Sequence, residues 1–250
     1  MPTKVILITG GAQGIGRGIA QRFLRGGWHA VLFDPDGEAL AETREELGAE
    51  GPITILPGDV ASEADVRLAG AHLRSEVGRL DALVNNAGIS ATRPLRDLSL
   101  EQWNRVLAVN LTGMFLWARE AELLLRASRG RIVNVASTRA LQSEPNTEAY
   151  AASKGGVVAL THALAASLGP EVLVNCICPG WIDTSAWQKR ARRRQAEWSA
   201  ADRAQHPAGR VGTPDDVAAM VWYLVAEEPG FVTGAHFVVD GGMTHRMIYV

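Results

Sequence analysis

The stretch Val5-Ile-Leu-Ile-Thr9-Gly10-Gly-Ala-Gln13-Gly14-Ile15-Gly16 decides how the rest of the chain is read. The apolar run Val5–Thr9 reads as a strand, and Ile15–Arg25 beyond the glycines reads as a helix. Glycines at the join let the backbone turn tightly and approach a ligand closely. The helix N-terminus adds free N–H groups and positive potential, which together suit a pyrophosphate. A glycine-rich loop on its own serves equally well as a structural turn. Its setting favours the nucleotide reading, with a strand before it and a helix after it at the first strand of the chain.

Outward from this unit the pattern repeats. Apolar runs recur at Ala30–Phe33, Ile53–Leu56, Ala82–Val84, Arg131–Ala136, Val172–Ile177 and Phe237–Val239. Between them, Glu38–Leu47, Glu63–Val77 and Leu100–Ala127 read as helices, as does the long segment opened by Glu148-Ala-Tyr150-Ala-Ala-Ser-Lys154. The Val- and Ile-rich runs are continuous rather than alternating, so the sheet is expected to be buried on both faces. Repeated strand–helix units predict an α/β fold with a parallel, doubly wound sheet and right-handed crossovers. With no repeat, low-complexity segment or linker, residues 1–250 are expected to form a single domain.

Composition narrows the function. A net charge of −2 gives no support for nucleic acid or an anionic membrane as partner. The first apolar run is too short for a signal-peptide core or a membrane span, which predicts a cytoplasmic protein. Cys176 and Cys178 are expected to face opposite sides of one strand and to stay reduced, and no metal site is expected. Of the 25 basic residues only Lys4, Lys154 and Lys189 are lysines.

Candidate site residues gather at strand ends. Asp34 closes the second strand, where a carboxylate holds a ribose diol and repels a 2′-phosphate, so it predicts NAD rather than NADP. As part of Asp34-Pro-Asp-Gly37 it is also good turn chemistry. Gly58-Asp59-Val60 and Asn85-Asn86-Ala87-Gly88 fall at the ends of the third and fourth strands, on the ligand-binding side of such sheets. Tyr150 and Lys154 share a helix face one turn apart, where the cation favours the ionised phenol.

Seven motifs stand in register: TGxxxGxG at Thr9–Gly16, NNAG at Asn85–Gly88, VNLTG at Val109–Gly113, IVNVAS at Ile132–Ser137, YxxxK at Tyr150–Lys154, PGxxxT at Pro179–Thr184 and VTGxxxxVDGG at Val232–Gly242. End to end, the chain resembles a short-chain dehydrogenase/reductase. The resemblance implies a Rossmann-type seven-stranded parallel sheet and a homotetramer. It places Asn110, Ser137, Tyr150 and Lys154 in a catalytic tetrad. Tyr150 would be the general acid or base on the substrate oxygen, Ser137 would bond that oxygen, and Lys154 would lower the phenol pKa and bind the nicotinamide ribose. Asn110 would hold a water. The implied cofactor-binding residues are Gly10, Gln13, Gly14, Ile15, Gly16, Asp34, Asp59, Val60, Asn86, Ala87, Gly88, Tyr150, Lys154, Pro179, Gly180, Ile182 and Thr184.

The resemblance also makes residues 185–210 a substrate lid. The cluster of Arg190, Arg192, Arg193 and Arg194 there reads as a solvated helix face. Besides Ser137 and Tyr150, Arg139, Gln142, Glu144, Trp181 and Trp187 are the candidate substrate-binding residues, suited to a hydroxylated alcohol or ketone of sugar or polyol size. A 3-oxoacyl-carrier-protein reductase working with NADPH is disfavoured because position 13 is Gln and position 34 is Asp. A non-catalytic redox sensor would have no use for Ser137, Tyr150 and Lys154. The apolar tail, Met243 to Val250, is expected to reach a neighbouring subunit.

Overall fold

The computed structural model describes residues 3–227 and 229–247. Seven strands form one parallel sheet: β1 (Val5–Thr9), β2 (His29–Asp34), β3 (Ile53–Pro57), β4 (Ala82–Asn85), β5 (Arg131–Val135), β6 (Leu173–Pro179) and β7 (His236–Val239). Their order is β3-β2-β1-β4-β5-β6-β7, so the chain reverses direction across the sheet between β1 and β4. Each predicted strand forms within a residue or two of its expected ends.

Helices cover both faces because β1 is buried on both. Ile6 and Ile8 face a core layer built with Ile19 and Phe23 of α1 (Gly14–Arg25), Leu40 of α2 (Gly37–Leu47) and Val217 of α8 (Pro214–Val225). Val5 and Leu7 face the opposite layer. It holds Val66 of α3 (Glu63–His72), Trp117 and Leu125 of α5 (Gly113–Ser128) and Leu168 of α6 (Glu148–Leu168). Helix starts are marked by oxygen side chains that accept first-turn N–H groups: Asp36 for α2, Ser62 for α3 and Ser99 for α4 (Leu100–Leu107).

Two expectations are corrected. Leu100–Ala127 is not one helix: α4 and α5 are separated by a wider π turn, Ala108–Thr112, which contains Asn110. Such insertions in a helix commonly sit at functional sites. Cys176 and Cys178 also do not face opposite ways, because side chains two apart on a strand share a face. Both pack with Met114, Ala136 and Val157, and both are buried free thiols.

Residues 185–210, expected to form a lid, hold the short 3-10 turns Ser185–Trp187 and Arg190–Arg192, then α7 (Ala200–Ala204). The start of the tail packs on its own chain. Thr244 donates its N–H to Asp240 (2.7 Å), and the Arg246 guanidinium donates to the Ala204 carbonyl of the lid. Ile248, Tyr249 and Val250 lie outside the described residues. No helix among the described residues is long and apolar enough to cross a membrane.

Candidate active site

The sheet topology opens a crevice where β1 and β4 diverge at their carboxyl ends, the place where open α/β sheets bind ligands. A cleft of about 600 Å³ lies there. The two loops bounding it are pinned to each other. Thr9 Oγ1 accepts the N–H groups of Asn86 (3.0 Å) and Ala87 (3.1 Å), and Asn86 Nδ2 donates to the carbonyls of Thr9 and Gly10, both at 3.0 Å.

The glycine turn fits a dinucleotide. A Cβ on Gly16 would stand 2.1 Å from the Gly10 carbonyl oxygen, so only glycine lets α1 begin that close to the strand end. Gln13, at the cap position of α1, makes no cap hydrogen bond, and the first turn carries no acidic residue. Its N–H groups therefore suit an anion, and Gly10, Gln13, Gly14 and Ile15 line the cleft. At the end of β2, Asp34 accepts from Ala12 N–H (3.2 Å) through one oxygen and Asp36 N–H (3.0 Å) through the other. Burial pushes its carboxyl up, and these two hydrogen bonds and the charge of Asp36 modify that push. Each oxygen keeps acceptor capacity for a further donor on the cleft side.

At the other end of the cleft are Ser137, Tyr150 and Lys154. Ser137 stands close enough to Tyr150 to lower its phenol, and Ser137 Oγ accepts the Arg139 N–H at 3.1 Å. Lys154 is buried, donates to the Val135 carbonyl (2.8 Å) and has its ammonium 5.5 Å from the centre of the Tyr150 ring. Burial pushes the Tyr150 phenol up, against lowering contributions from Ser137 and the Arg139 charge. Burial also pushes the Lys154 ammonium down to about 8. Desolvation outweighs the lowering contributions on the phenol, which come from Ser137 and Arg139 rather than from Lys154.

The Asn110 side chain makes three hydrogen bonds. Its Oδ1 accepts the Ile89 N–H (2.8 Å), and its Nδ2 donates to the Ile89 carbonyl (2.9 Å) and to Ser153 Oγ (3.0 Å). The amide clamps the loop after β4 to α6.

The structure brings most of the predicted cofactor residues to the cleft wall, including Asn86, Ala87, Gly88, Pro179, Gly180, Ile182 and Thr184. Gly16 sits behind the wall. Asp59 and Val60 stand apart from it: Asp59 pairs with Arg105 at 2.7 Å, and Val60 packs where a Gly113 Cβ would be. Of the substrate candidates, Arg139 and Glu144 line the cleft but pair with each other at 2.6 Å. Gln142 is exposed and away from it. Trp181 packs edge-on against Trp198 and lines a neighbouring hollow, and Trp187 lines neither space. Sequence reasoning missed Ile89, Ser90, Thr92, Val135, Ala136, Thr147 and Gln188 as wall residues. Val135 and Ala136 lie inside the IVNVAS motif and Ile89 directly follows NNAG, while Thr92, Thr147 and Gln188 belong to no motif.

The Arg cluster is the clearest departure. Arg190 and Arg193 do not form a solvated helix face; they reach carboxylates of α2.

A Rossmann-type sheet with a dinucleotide crevice and a Ser-Tyr-Lys group at its end defines a class of nicotinamide oxidoreductases. The chain belongs to the short-chain dehydrogenase/reductase superfamily. Residues 10–244 match the family described as enoyl-(acyl carrier protein) reductase. An uncharacterized oxidoreductase of Thermotoga maritima is 46% identical, with 98% of each chain covered. The 2-(S)-hydroxypropyl-CoM dehydrogenase 3 of Xanthobacter autotrophicus is 39% identical over the same share. Among solved structures, an apo SCOR enzyme from Clostridium thermocellum is 42% identical with a TM-score of 0.89, covering 100% of this chain and 96% of that one. A 3-ketoacyl-(acyl-carrier-protein) reductase from Brucella melitensis complexed with NADH is 33% identical with a TM-score of 0.85, covering 96% and 98%. The protein is an NAD(P)-dependent oxidoreductase acting at a CH–OH or C=O carbon.

Proposed function

We propose that the protein is an NAD-dependent dehydrogenase of a secondary alcohol of polyol or sugar-like size. The observation that carries the cofactor assignment is Asp34, a buried carboxylate on the cleft wall with acceptor capacity to spare. It suits a ribose diol, and a 2′-phosphate would bring like charges together in a partly desolvated place. The bound nicotinamide supplies the hydride acceptor. Tyr150, as phenolate, takes the substrate hydroxyl proton, and Ser137 hydrogen-bonds the same oxygen. Lys154 keeps a positive charge beside the phenol at neutral pH and holds the nicotinamide ribose.

The Arg139–Glu144 pair on the wall supports a polar substrate, since it offers both donors and acceptors to hydroxyl groups. Exposed Phe115 and Leu123 on α5 support assembly into a homotetramer, and the free thiols of Cys176 and Cys178 support a reducing, cytoplasmic setting.

The test is catalytic efficiency with NAD and with NADP, in the wild type and in Asp34→Ala. NAD is expected to be preferred by at least tenfold in the wild type, and the preference is expected to shrink in the variant. Equal efficiencies in the wild type would overturn the assignment.

A further inference from the structure

The lid does not end at the cleft. Thr184 lies beside Gly14, whose Cβ would meet it at 3.6 Å, and Gln188 lines the cleft with Gln13 and Asp34. The Lys189 N–H then donates to Gln13 Oε1 at 3.0 Å, tying the lid to the glycine turn itself. From there the chain runs onto the outer face of α2. Lys189 Nζ contacts Asp36 (3.0 Å) and Glu38 (2.6 Å). The Arg190 N–H donates to Glu42 (2.7 Å), and its guanidinium meets Glu45 (2.8 Å) and Glu46 (2.9 Å). Arg193 meets Glu46 at 3.1 Å, and Arg17 of α1 pairs with the same carboxylate. Three guanidinium groups on one carboxylate hold Glu46 down at about 2.

We propose that Lys189, Arg190 and Arg193 are positioning residues: together they form an ionic strap that holds residues 184–193 across the glycine-turn end of the cleft and sets the rate at which the dinucleotide leaves. A dinucleotide lying along the glycine turn toward Asp34 has this segment over it. It escapes only when the contacts to α2 let go. One exposed ion pair would contribute little to such a barrier. Here three cations of one short segment meet four carboxylates of α2 and its cap, a fifth, Glu42, accepts the Arg190 N–H, and these contacts let go together. Water and salt weaken surface pairs of this kind, so release becomes sensitive to ionic strength. Gln13 gains a role in the same scheme, since its side chain anchors the first residue of the strap. The inference concerns either dinucleotide and does not depend on the NAD assignment.

The experiment is stopped-flow release of the tighter-bound of NADH and NADPH, followed by nucleotide fluorescence from 50 mM to 1 M NaCl. Wild type is compared with Arg190→Gln/Arg193→Gln, with Arg190→Glu, and with Arg190→Glu combined with Glu45→Arg. Thermal melting is run on each protein to confirm that it is folded. Release from the double Gln variant at low salt is expected to be faster by on the order of tenfold, as a network of several weak pairs would give. Wild-type release is expected to accelerate with salt toward the variant's rate, while the variant keeps only the weaker salt response of the dinucleotide itself. Restoring opposite charges with Glu45→Arg should slow the Arg190→Glu protein again, a rescue that simple loss of folding would not give. Equal release rates and equal salt slopes in wild type and the double Gln variant would overturn the strap, as would a Glu45→Arg combination no slower than Arg190→Glu alone.

Discussion

At the scale of single residues, the site sets two ionisable groups against water. Burial raises the Tyr150 phenol and lowers the Lys154 ammonium, so each holds its charge less readily than in solvent. The Lys154 shift has a consequence for stability. Its folded pKa of about 8 lies below the unfolded 10.5, so between those values the unfolded chain binds more protons. Stability from this residue therefore rises with pH across that window, by on the order of 3 kcal/mol in full. Above pH ~10 the raised Tyr150 works the other way, because there the folded chain holds the extra proton. We expect the stability difference between wild type and Lys154→Met, from denaturant titrations at pH 8 and pH 10, to move toward the wild type as pH rises. Parallel stability profiles would contradict the buried, depressed ammonium. Asp34 was legible as the carboxylate closing the second strand, and Tyr150 and Lys154 as residues one turn apart on a helix face, whereas Ser137 was named through the family resemblance.

At the scale of elements, the π turn between α4 and α5 was not legible. Leu100–Ala127 carries uninterrupted helical character, and the widened turn shows only through what Asn110 bonds to. Its three hydrogen bonds hold Ile89, directly after Gly88, and join that loop to Ser153 on α6. Asn110→Ala takes these partners from the part-buried N–H and carbonyl of Ile89 and from the Ser153 hydroxyl, at a cost of about 1–3 kcal/mol for a group left stranded away from water. The variant is expected to lose about 2 kcal/mol of stability by denaturant titration and to bind NADH more weakly by fluorescence, because Gly88 and Ile89 form part of the cleft wall. Wild-type stability and NADH affinity in Asn110→Ala would remove the clamp from the account. The cysteine pair shows a different limit: period-two alternation already places Cys176 and Cys178 on one face, and the opposite expectation misapplied that rule.

At the scale of the whole molecule, the sheet, its order and its two apolar layers follow from sequence pattern, since buried parallel strands announce themselves as continuous Val- and Ile-rich runs. The contacts that close the cleft do not. Lys189 and Glu38 are 151 positions apart, and Arg190 and Glu45 are 145 apart. No local period relates them, so the lid's cations looked solvated until the fold placed α2 beneath them. Arg139 and Glu144 are only five positions apart, yet their pairing across a loop without regular period was equally hidden, and it replaces two free charges with one polar wall.

The central claim is that this assembled cleft oxidises an alcohol through the Tyr150 phenol. It is tested most directly by Tyr150→Phe, assayed for NAD reduction on the best substrate from a panel of polyols, sugars and hydroxy acids, with NADH binding measured on the same samples. A positioned general base contributes about 10²–10⁴-fold, so turnover should fall by that much while NADH affinity stays within about twofold. Wild-type oxidation should quicken toward alkaline pH as the phenol ionises. A Tyr150→Phe protein that retains a tenth of its turnover with the same alkaline rise would show that another group carries the proton.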